Sequence, residues 1–454
     1  MSFLWWIFGF LSVAHAEDTL VLSDVLNTLY QHPEWHLASV EARIAEGELW
    51  MQSAPFTPNL TGQVSAYDEQ YSRHINVHQA SIQTPVGLTF QTGWQQGEGD
   101  FPTYDGRYTV DNGEVFIGVM IPLLEGLWQN QDRTNWMIQD LQRQVALLNQ
   151  RQHQLNLLTA AAVQYWKWSK MLSLEALYLQ NLKLAEKRQT IFEQQHRSGV
   201  LSKLSLIDNQ REVQERRQMY RDTVQQRQVE ALKLSYYLRD AYGDMIDLSN
   251  HTTMSLLTKS PSSSEEVNLS PLNRPDVQIW DWIESQIQAE QQLAKTKQLP
   301  KVNLTLQQMH PMTQSTYDGV ENYVGLKYDF APMMRAERGK LMVLEAKRSA
   351  IEMYRRKSID KATQEIQSIV LHLDGLTEQI AIQNDVVTLA EEALRLENIR
   401  YTKGGSDLLD LFKRESNLLK AQQTLVKLKA DVQIQMALIW AATGVFPNTI
   451  TRLE

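Results

Sequence analysis

The sequence contains no cysteine among its 454 residues. Disulfides, thiolate metal sites, thiol nucleophiles and a lipidated N-terminal cysteine are therefore all excluded. Glycine and proline are scarce as well, with 20 and 13 residues, so the chain lacks the turn residues that an α/β fold needs. The scarcity of both residues favours long, uninterrupted helices.

The sequence also lacks a basic excess. Lysine and arginine number 44 against 53 acidic residues, and the formal net charge is −9. No net positive field attracts nucleic acid or an anionic membrane surface, so nucleic-acid binding is not expected.

A membrane-length apolar helix is missing too, because the apolar run at residues 3–11 is shorter than the ~20 residues of a spanning helix. The run has signal-peptide length, and a small-x-small site at residues 14–16 follows it. We therefore predict that residues 1–16 are a cleaved signal peptide. No lysine or arginine precedes the run, so a misassigned start codon and an uncleaved anchor stay open as alternatives.

Two tracts poor in glycine and proline dominate the rest of the chain. Residues 130–197 contain neither residue, and residues 340–403 contain only Gly375. Apolar residues recur at alternating spacings of three and four, the coiled-coil pattern, in a segment such as 386–396. At 1.5 Å per residue each tract predicts a helix about 100 Å long.

Each tract ends at a short break that is followed by another helix. An offset of 205 residues places Gly199 on Gly404 and Leu204 on Leu409. Glycine can adopt the left-handed conformation that closes a helix, and we expect Ser202 and Ser406 to cap the helices that follow. The sequence therefore predicts two helical hairpins with tight tips, one in each half of a duplicated chain.

Period-2 alternation of apolar residues predicts four strands per chain, two in each half. They cover residues 60–66, 115–121, 302–306 and 324–330. Each half then consists of a helix, a strand, a loop, a strand, a very long helix, a tip and a helix. The predicted domains are a signal peptide (1–16), a first repeat (17–257), a Ser/Pro-rich linker (258–275), a second repeat (276–444) and a tail (445–454).

The segment from Arg73 to Asn112 is long for a loop between two strands, and it contains a further alternating stretch at Val86, Leu88 and Phe90. Its glycine content favours an exposed extended hairpin above a membrane. The alternative is that the register of the first two strands is assigned wrongly.

Four strands cannot close a transmembrane barrel, because the smallest outer-membrane barrels have eight. A lone sheet would expose unpaired backbone groups to lipid, so several chains must share one barrel. The order of elements and four segments resemble the TolC-like outer-membrane factor family. The segments are IPLLEGLWQNQDR (121–133), PNLTGQVSAY (58–67), PKVNLTL (300–306) and YTKGGSDLLDL (401–411).

The resemblance implies a mainly α fold with β, in which duplicated coiled-coil hairpins and four strands per chain build a homotrimer with a 12-stranded barrel and a periplasmic helical tunnel. Such a protein is a passive exit duct in the outer membrane of a Gram-negative bacterium. It serves a tripartite efflux pump or a type I secretion system. Its implied partners are outer-membrane lipid, a periplasmic adaptor and an inner-membrane transporter, and no cofactor is implied. The alternative function is a periplasmic coiled-coil scaffold that never inserts.

Two groups of candidate site residues lie at the tips. The resemblance implies a pore constriction with acidic residues, in which Asp410 occupies one acidic position and Lys413 stands where a second acid is common. Asp407 lies one turn before Asp410 on the same helix and is assigned to the constriction with them. We expect the tips to dock the adaptor through Gly199, Leu204, Gly404, Gly405 and Leu409. The alternatives are that the glycines only close their helices, that Asp407 only caps a helix, and that Asp410 faces outside solvent.

No catalytic motif is present, so an enzyme is not expected. The i, i+4 histidine pairs, His32 with His36 and His74 with His78, are not expected to bind metal. The sequence favours helix packing for the clustered aromatic residues Tyr165, Trp166 and Trp168. Aromatic residues near strand ends indicate interfacial girdles; they are Tyr67, Tyr71, Trp94, Tyr323 and Tyr328.

Overall fold

A computed structural model describes residues 20–68, 72–100, 102–104, 107–109, 112–127, 129–240, 242–248, 269–312 and 319–445. The predicted signal peptide, most of the predicted linker and nearly all of the predicted tail lie outside these residues. Seven α-helices occur in the described chain: α1 (Leu22–Thr28), α2 (Pro33–Gln52), α3 (Gln131–Arg197), α4 (Lys203–Ser235), α5 (Pro275–Thr296), α6 (Arg335–Thr402) and α7 (Leu408–Thr443).

Two of these helices are very long, as the sequence predicts. Helix α3 has 67 residues and α6 has 68. Each is followed by a short break and a second helix, which confirms the two helical hairpins. No helix in the described residues is long and apolar enough to cross a membrane.

The strands are β1 (Asn59–Asp68), β2 (Ser72–Gln83), β3 (Thr89–Gly99), β4 (Thr103–Tyr104), β5 (Arg107–Tyr108), β6 (Glu114–Pro122), β7 (Lys301–Pro311) and β8 (Glu321–Asp329). Six of them form one sheet in the order β1-β2-β3-β6-β7-β8, with every neighbouring pair antiparallel. Strands β4 and β5 form a separate two-stranded ribbon. All four predicted strands are present, as β1, β6, β7 and β8.

The predicted count of four strands is wrong, because the segment 73–112 adds β2 and β3 to the centre of the sheet. Strand β2 pairs with β1 and β3, and β3 pairs with β6. Of the three residues in the predicted alternation, only Phe90 lies in a strand; Val86 and Leu88 lie in the turn between β2 and β3. The expected hairpin exists, but it is part of the sheet rather than a surface loop.

The pairing register separates the sheet into two faces of different chemistry, because directly paired residues share a face. We call one of them the apolar face. One row across it consists of Ile82, Phe90, Val119, Leu306 and Val324. The opposite polar face carries rows such as Ser81, Gln91, Gly118, Gln307 and Tyr323.

Part of the polar face is covered by the segment that follows β3. The guanidinium of Arg73 donates to the carbonyl oxygen of Thr103 at 3.0 Å. The hydroxyl of Thr109 lies 2.9 Å from the amide nitrogen and 3.0 Å from the carbonyl oxygen of Gly97. A Cβ on Gly97 would meet the Thr103 backbone at 2.8 Å, so this position requires glycine.

The chain divides into two compact units, and each draws on both halves of the sequence. One comprises residues 1–38, 151–274 and 359–454 and contains the tips. Its main core surrounds the fully buried side chains of Trp168 and Tyr165, so the predicted packing role of the aromatic cluster is confirmed.

The second unit comprises residues 39–150 and 275–358 and contains the sheet. Its helical core joins Ile287 and Ala294 of α5 to Leu344 and Ile351 of α6. The repeat boundaries predicted from the sequence stay predictions.

Candidate docking tips and constriction

The first tip lies between α3 and α4. Helix α3 ends at Arg197, and Gly199 follows with φ of +76°, a left-handed conformation that disfavours other residues. Helix α4 begins at Lys203, after Ser202 has accepted a hydrogen bond from the Ser205 amide at 3.1 Å. Ser202 is therefore the N-cap that the sequence predicts.

The second tip repeats this geometry with different chemistry. Gly404 has φ of +72° after α6, and α7 begins at Leu408. The N-cap is Asp407, whose carboxylate accepts from the Asp410 amide at 2.9 Å. The predicted cap, Ser406, is wrong: its hydroxyl donates to Glu397 instead. Capping is thus one structural role of Asp407.

The predicted docking residues are exposed on these tips. Leu204 is 69% exposed and Leu409 is 56% exposed. Apart from the adjacent residues, no described atom lies within 4 Å of a Cβ built on Gly199 or Gly404, and a Cβ on Gly405 would meet only the Arg400 carbonyl oxygen at 3.6 Å. The tips therefore have apolar side chains and open space beside them.

The predicted constriction residues share the start of α7. Asp407, Asp410 and Lys413 are all exposed, whereas Leu408, Leu411 and Phe412 are buried. The buried residues form a small core with Phe192 of α3, and Leu201, Leu206, Leu394 and Tyr401 pack against it. This core connects the two hairpins at their tips, and burial there raises the pKa of Tyr401 above its usual value.

An ion-pair cluster continues this core. The carboxylate of Glu415 accepts from Arg188 Nη1 at 3.0 Å, from Arg188 Nη2, and from Arg216 Nη2 at 2.6 Å. The side chains of Arg188, Arg216 and Glu415 are 16%, 5% and 12% exposed. The Arg188 guanidinium also lies 5.3 Å from the Phe412 ring centroid. One carboxylate thus joins α3, α4 and α7.

A second buried carboxylate, Glu397 of α6, lies beside the second tip. It accepts from the Ser406 hydroxyl and lies 3.5 Å from Arg400 and 3.9 Å from Arg414. In the described residues the carboxylate near Arg414 is therefore that of Glu397 rather than that of Asp407 or Asp410.

Sequence reasoning missed Arg188, Arg216, Glu397 and Glu415. A signal existed for two of them: Arg216 follows the buried residues Asn209 and Val213 at helical spacing, and Glu415 follows Leu411 and Phe412 on the buried stripe of α7. A charged residue on an otherwise buried stripe indicates a buried partner. The partners themselves lie about 200 residues away in sequence, which no local pattern reports.

The histidine at position 32 is a structural residue. Its Nε2 lies 3.1 Å from the Tyr236 carbonyl oxygen, and its Nδ1 accepts from the Glu34 amide at 3.2 Å. Burial, with the nearby positive charge of Arg239, lowers its pKa. The described residues contain no group of three potential metal ligands.

The predicted aromatic girdle divides between the two sheet faces. Trp94 and Tyr328 lie on the apolar face, and His78 stacks on Trp94 with centroids 5.9 Å apart. Tyr67 and Tyr323 lie on the polar face. Tyr71 lies outside the described residues.

Comparisons with known proteins agree with this geometry. Residues 267–445 match the family model described as "Outer membrane efflux protein". No curated protein sequence matches the chain.

Solved structures share the fold at low identity. VceC of Vibrio cholerae is 17% identical with a TM-score of 0.66, covering 94% of this chain and 97% of its own. CmeC of Campylobacter jejuni is 12% identical, also with 0.66, covering 97% and 93%. The open state of Neisseria gonorrhoeae MtrE is 14% identical with 0.64, covering 93% and 89%. Residues 267–445 therefore match the outer membrane efflux protein family model, and the described chain shares the fold of these solved structures, in agreement with the resemblance to the TolC-like outer-membrane factor family.

Proposed function

We propose that three copies of this chain form a passive exit duct in the outer membrane of a Gram-negative bacterium. The observation that carries the proposal is the sheet, which exposes large apolar side chains on one face in every part from β1 to β8. Leu60 at one edge is 80% exposed and Val324 at the other is 69% exposed. An exposed apolar face of this extent is costly in water and favourable in lipid.

The edges of the sheet require other copies. Among the described strands, β1 pairs only with β2 and β8 pairs only with β7. An unpaired edge in lipid costs several kcal/mol for each unsatisfied backbone group. Joining β1 of one copy to β8 of the next removes every edge, and a closed ring of three copies has the cyclic symmetry that homo-oligomers favour.

The test is the mass and location of the native protein. Extraction from outer membranes in mild detergent should give a particle containing three chains by light scattering. A monomeric mass would contradict the proposal. Recovery in the soluble periplasmic fraction would favour the alternative function, a scaffold that does not insert.

The duct itself carries no catalytic group in this proposal and is driven by its partners. The tips are proposed to dock a periplasmic adaptor that connects them to an inner-membrane transporter, in a tripartite efflux pump or a type I secretion system. Exposed Leu204 and Leu409 supply apolar contact, and the empty space at Gly199, Gly404 and Gly405 permits close approach of another hairpin.

Gly405 allows the docking role to be tested separately from helix closure, because its backbone conformation does not require glycine. Gly405 lacks a positive φ, so Gly405→Leu adds bulk without backbone strain and should abolish export while trimers persist. Gly375→Leu is the matched control, because it adds the same side chain into open space on α6 outside the tips, and it should preserve export. Unchanged export in Gly405→Leu would show that the glycine only closes its helix.

A photo-crosslinker identifies the docking partner directly. At Leu409 it should capture a periplasmic protein, whereas at Leu371, which is 71% exposed on α6, it should not. Equal capture at the two positions would contradict a specific role for the tip.

We also propose that Asp407, Asp410 and Lys413 line the periplasmic constriction of the trimer. Three copies of Asp410 around the axis would concentrate cations and make the pore cation-selective. In planar bilayers Asp410→Ala should reduce the cation preference, and the exposed Asp385 of α6 provides the matched control, Asp385→Ala. An unaltered reversal potential in Asp410→Ala would place Asp410 outside the pore.

A further inference from the structure

We infer that β2 and β3 belong to the barrel wall, so that three six-stranded sheets close an 18-stranded barrel instead of the 12-stranded barrel that the resemblance implies. The inference rests on the proposed trimeric duct and concerns the width of its exit. Three features of the hairpin support it: its pairing, its depth and its two faces.

Pairing integrates the hairpin into the sheet. The β1–β2 ladder runs from Asn59↔Ser81 to Asp68↔Ser72, the full length of β1. On its other side the hairpin pairs with β6 from Thr89↔Met120 to Gln95↔Glu114. In the sheet β2 and β3 lie between β1 and β6. Removing the hairpin from the wall would therefore break the β1–β2 and β3–β6 ladders.

The position of the turn between β2 and β3 shows that this hairpin runs the full height of the sheet. Its turn, residues 84–88, lies at the sheet end where α3 begins. Asn130 Nδ2 donates to the Pro85 carbonyl oxygen at 3.2 Å, and Gln83 Nε2 donates to Asp132 Oδ2 at 3.1 Å. Gly87, with φ of +92°, packs so closely that a Cβ there would lie 2.3 Å from the Gly126 carbonyl oxygen. A hairpin above the membrane could not make these contacts.

The two faces of the hairpin match those of the neighbouring strands. Ala80 and Thr92 lie in one row with Leu60 and Ile117, on the apolar face. On the opposite face Gln79 Nε2 donates to Gln91 Oε1 at 3.3 Å. A hairpin in solvent would need no apolar face, and a hairpin folded into the lumen would not join Ile82 and Phe90 to the apolar row of Val119, Leu306 and Val324.

The consequence is a wider exit. With strands ~4.8 Å apart and tilted by ~40°, a 12-stranded barrel has a backbone diameter of about 24 Å and an 18-stranded barrel about 36 Å. The cross-section increases about twofold, because barrel diameter grows in proportion to strand number. Such a lumen lies in the size class of the porins, which hold an aqueous channel, and admits cargo of larger cross-section than a 12-stranded wall does.

Single cysteines test the wall, because the natural chain has none. In the trimer reconstituted in vesicles, Gln91→Cys should react with a water-soluble thiol reagent, whereas Phe90→Cys should resist it and be reached by a lipid-soluble quencher. The matched control is the adjacent pair Lys327→Cys and Leu326→Cys in β8, which face opposite sides in either barrel.

The outcomes separate this inference from the proposed function. If Leu326→Cys and Lys327→Cys differ but Phe90→Cys and Gln91→Cys react alike, the hairpin lies outside the wall and the inference fails while the duct stands. If the β8 pair also reacts alike, the sheet does not face lipid and the proposed function fails. Deleting residues 72–99 should lower the size limit for polymers that enter the lumen from the barrel end, and an unchanged size limit would contradict the wider exit.

Discussion

Removing the Glu415 carboxylate is the sharpest test of how the tips are held. In Glu415→Ala the guanidinium groups of Arg188 and Arg216 lose their shared acceptor while most of their surface stays buried. An unpaired buried charge costs more than the net value of the original pair, because its desolvation is no longer compensated.

The magnitude follows from the contacts that remain. Arg216 keeps Glu212 Oε1 at 2.8 Å and the Asn181 carbonyl oxygen at 3.3 Å. Arg188 keeps only the Phe412 ring and partial solvent access. Breaking a fully buried pair costs roughly 3–5 kcal/mol, and these contacts reduce the cost to about 2–4 kcal/mol. The equilibrium for local opening of the tip should therefore rise about 30- to 800-fold.

Amide hydrogen exchange measures this opening directly. Peptides that contain Arg188, Arg216 or position 415 should lose protection in Glu415→Ala, whereas peptides around Trp168 should not change. Glu392→Ala is the control, since Glu392 pairs with Arg395 on one exposed helix face and should leave protection unchanged. Tip protection within twofold of the wild-type value would refute the reasoning.

Three further predictions concern stability. Folding lowers the pKa of His32, so near and below pH 6.5, its ordinary pKa, the unfolded chain binds more protons than the folded protein. The unfolding temperature of the wild-type protein should therefore fall as the pH decreases through 6.5. The same measurement on His32→Asn should show a weaker dependence of unfolding temperature on pH. Leu158→Ala in the main core should lower the free energy of unfolding by about 2–5 kcal/mol in chemical denaturation. Leu184 is 51% exposed on the same helix, and Leu184→Ala should lower it by less than ~1 kcal/mol. Equal decreases in the two variants would contradict the assigned core. Loss of the cap in Asp407→Ala should cost about 1 kcal/mol of tip stability by hydrogen exchange, and Asp407→Asn should not, because asparagine caps equally well.

The helical part of the fold could be predicted because its signals are long and local. The tract 130–197 predicts α3 almost to its ends, and the left-handed glycines follow directly from the breaks. The N-cap of α7 can also be predicted from the duplication, because the offset of 205 residues that pairs Gly199 with Gly404 pairs Ser202 with Asp407. Ser406 has a residue type that often caps helices, but it lies one position before the residue that this offset pairs with Ser202.

Strand β2 could not be predicted because its apolar residues change face along the chain, and β3 could not because Phe90 and Trp94 are its only large apolar residues. In β2, Ile75 and Val77 lie on the polar face, whereas Ala80 and Ile82 lie on the apolar face. The change removes the period-2 pattern that identifies a strand. Val77 is nevertheless buried, at 8% exposure, beside a face partly covered by the segment after β3. The covering segment, which is distant from β2 in sequence, thus accounts for an apolar residue that the period-2 pattern does not predict.

The two tips share a left-handed glycine, but the second is acidic where the first is neutral, and this difference limits what the proposed constriction can do. The offset that aligns Gly199 with Gly404 places neutral Ser202 and Ser205 where the second tip has Asp407 and Asp410. Asp407 is already engaged with the first turn of α7, where a helix N-terminus favours negative charge. A trimer would therefore present three free carboxylates, those of Asp410, instead of a ring of six or more. Their mutual repulsion is screened beyond about 8 Å at physiological ionic strength. The buried pairs of Glu415 can accordingly hold the tips together without neutralising such a ring, so the proposal assigns selectivity and closure to different residues.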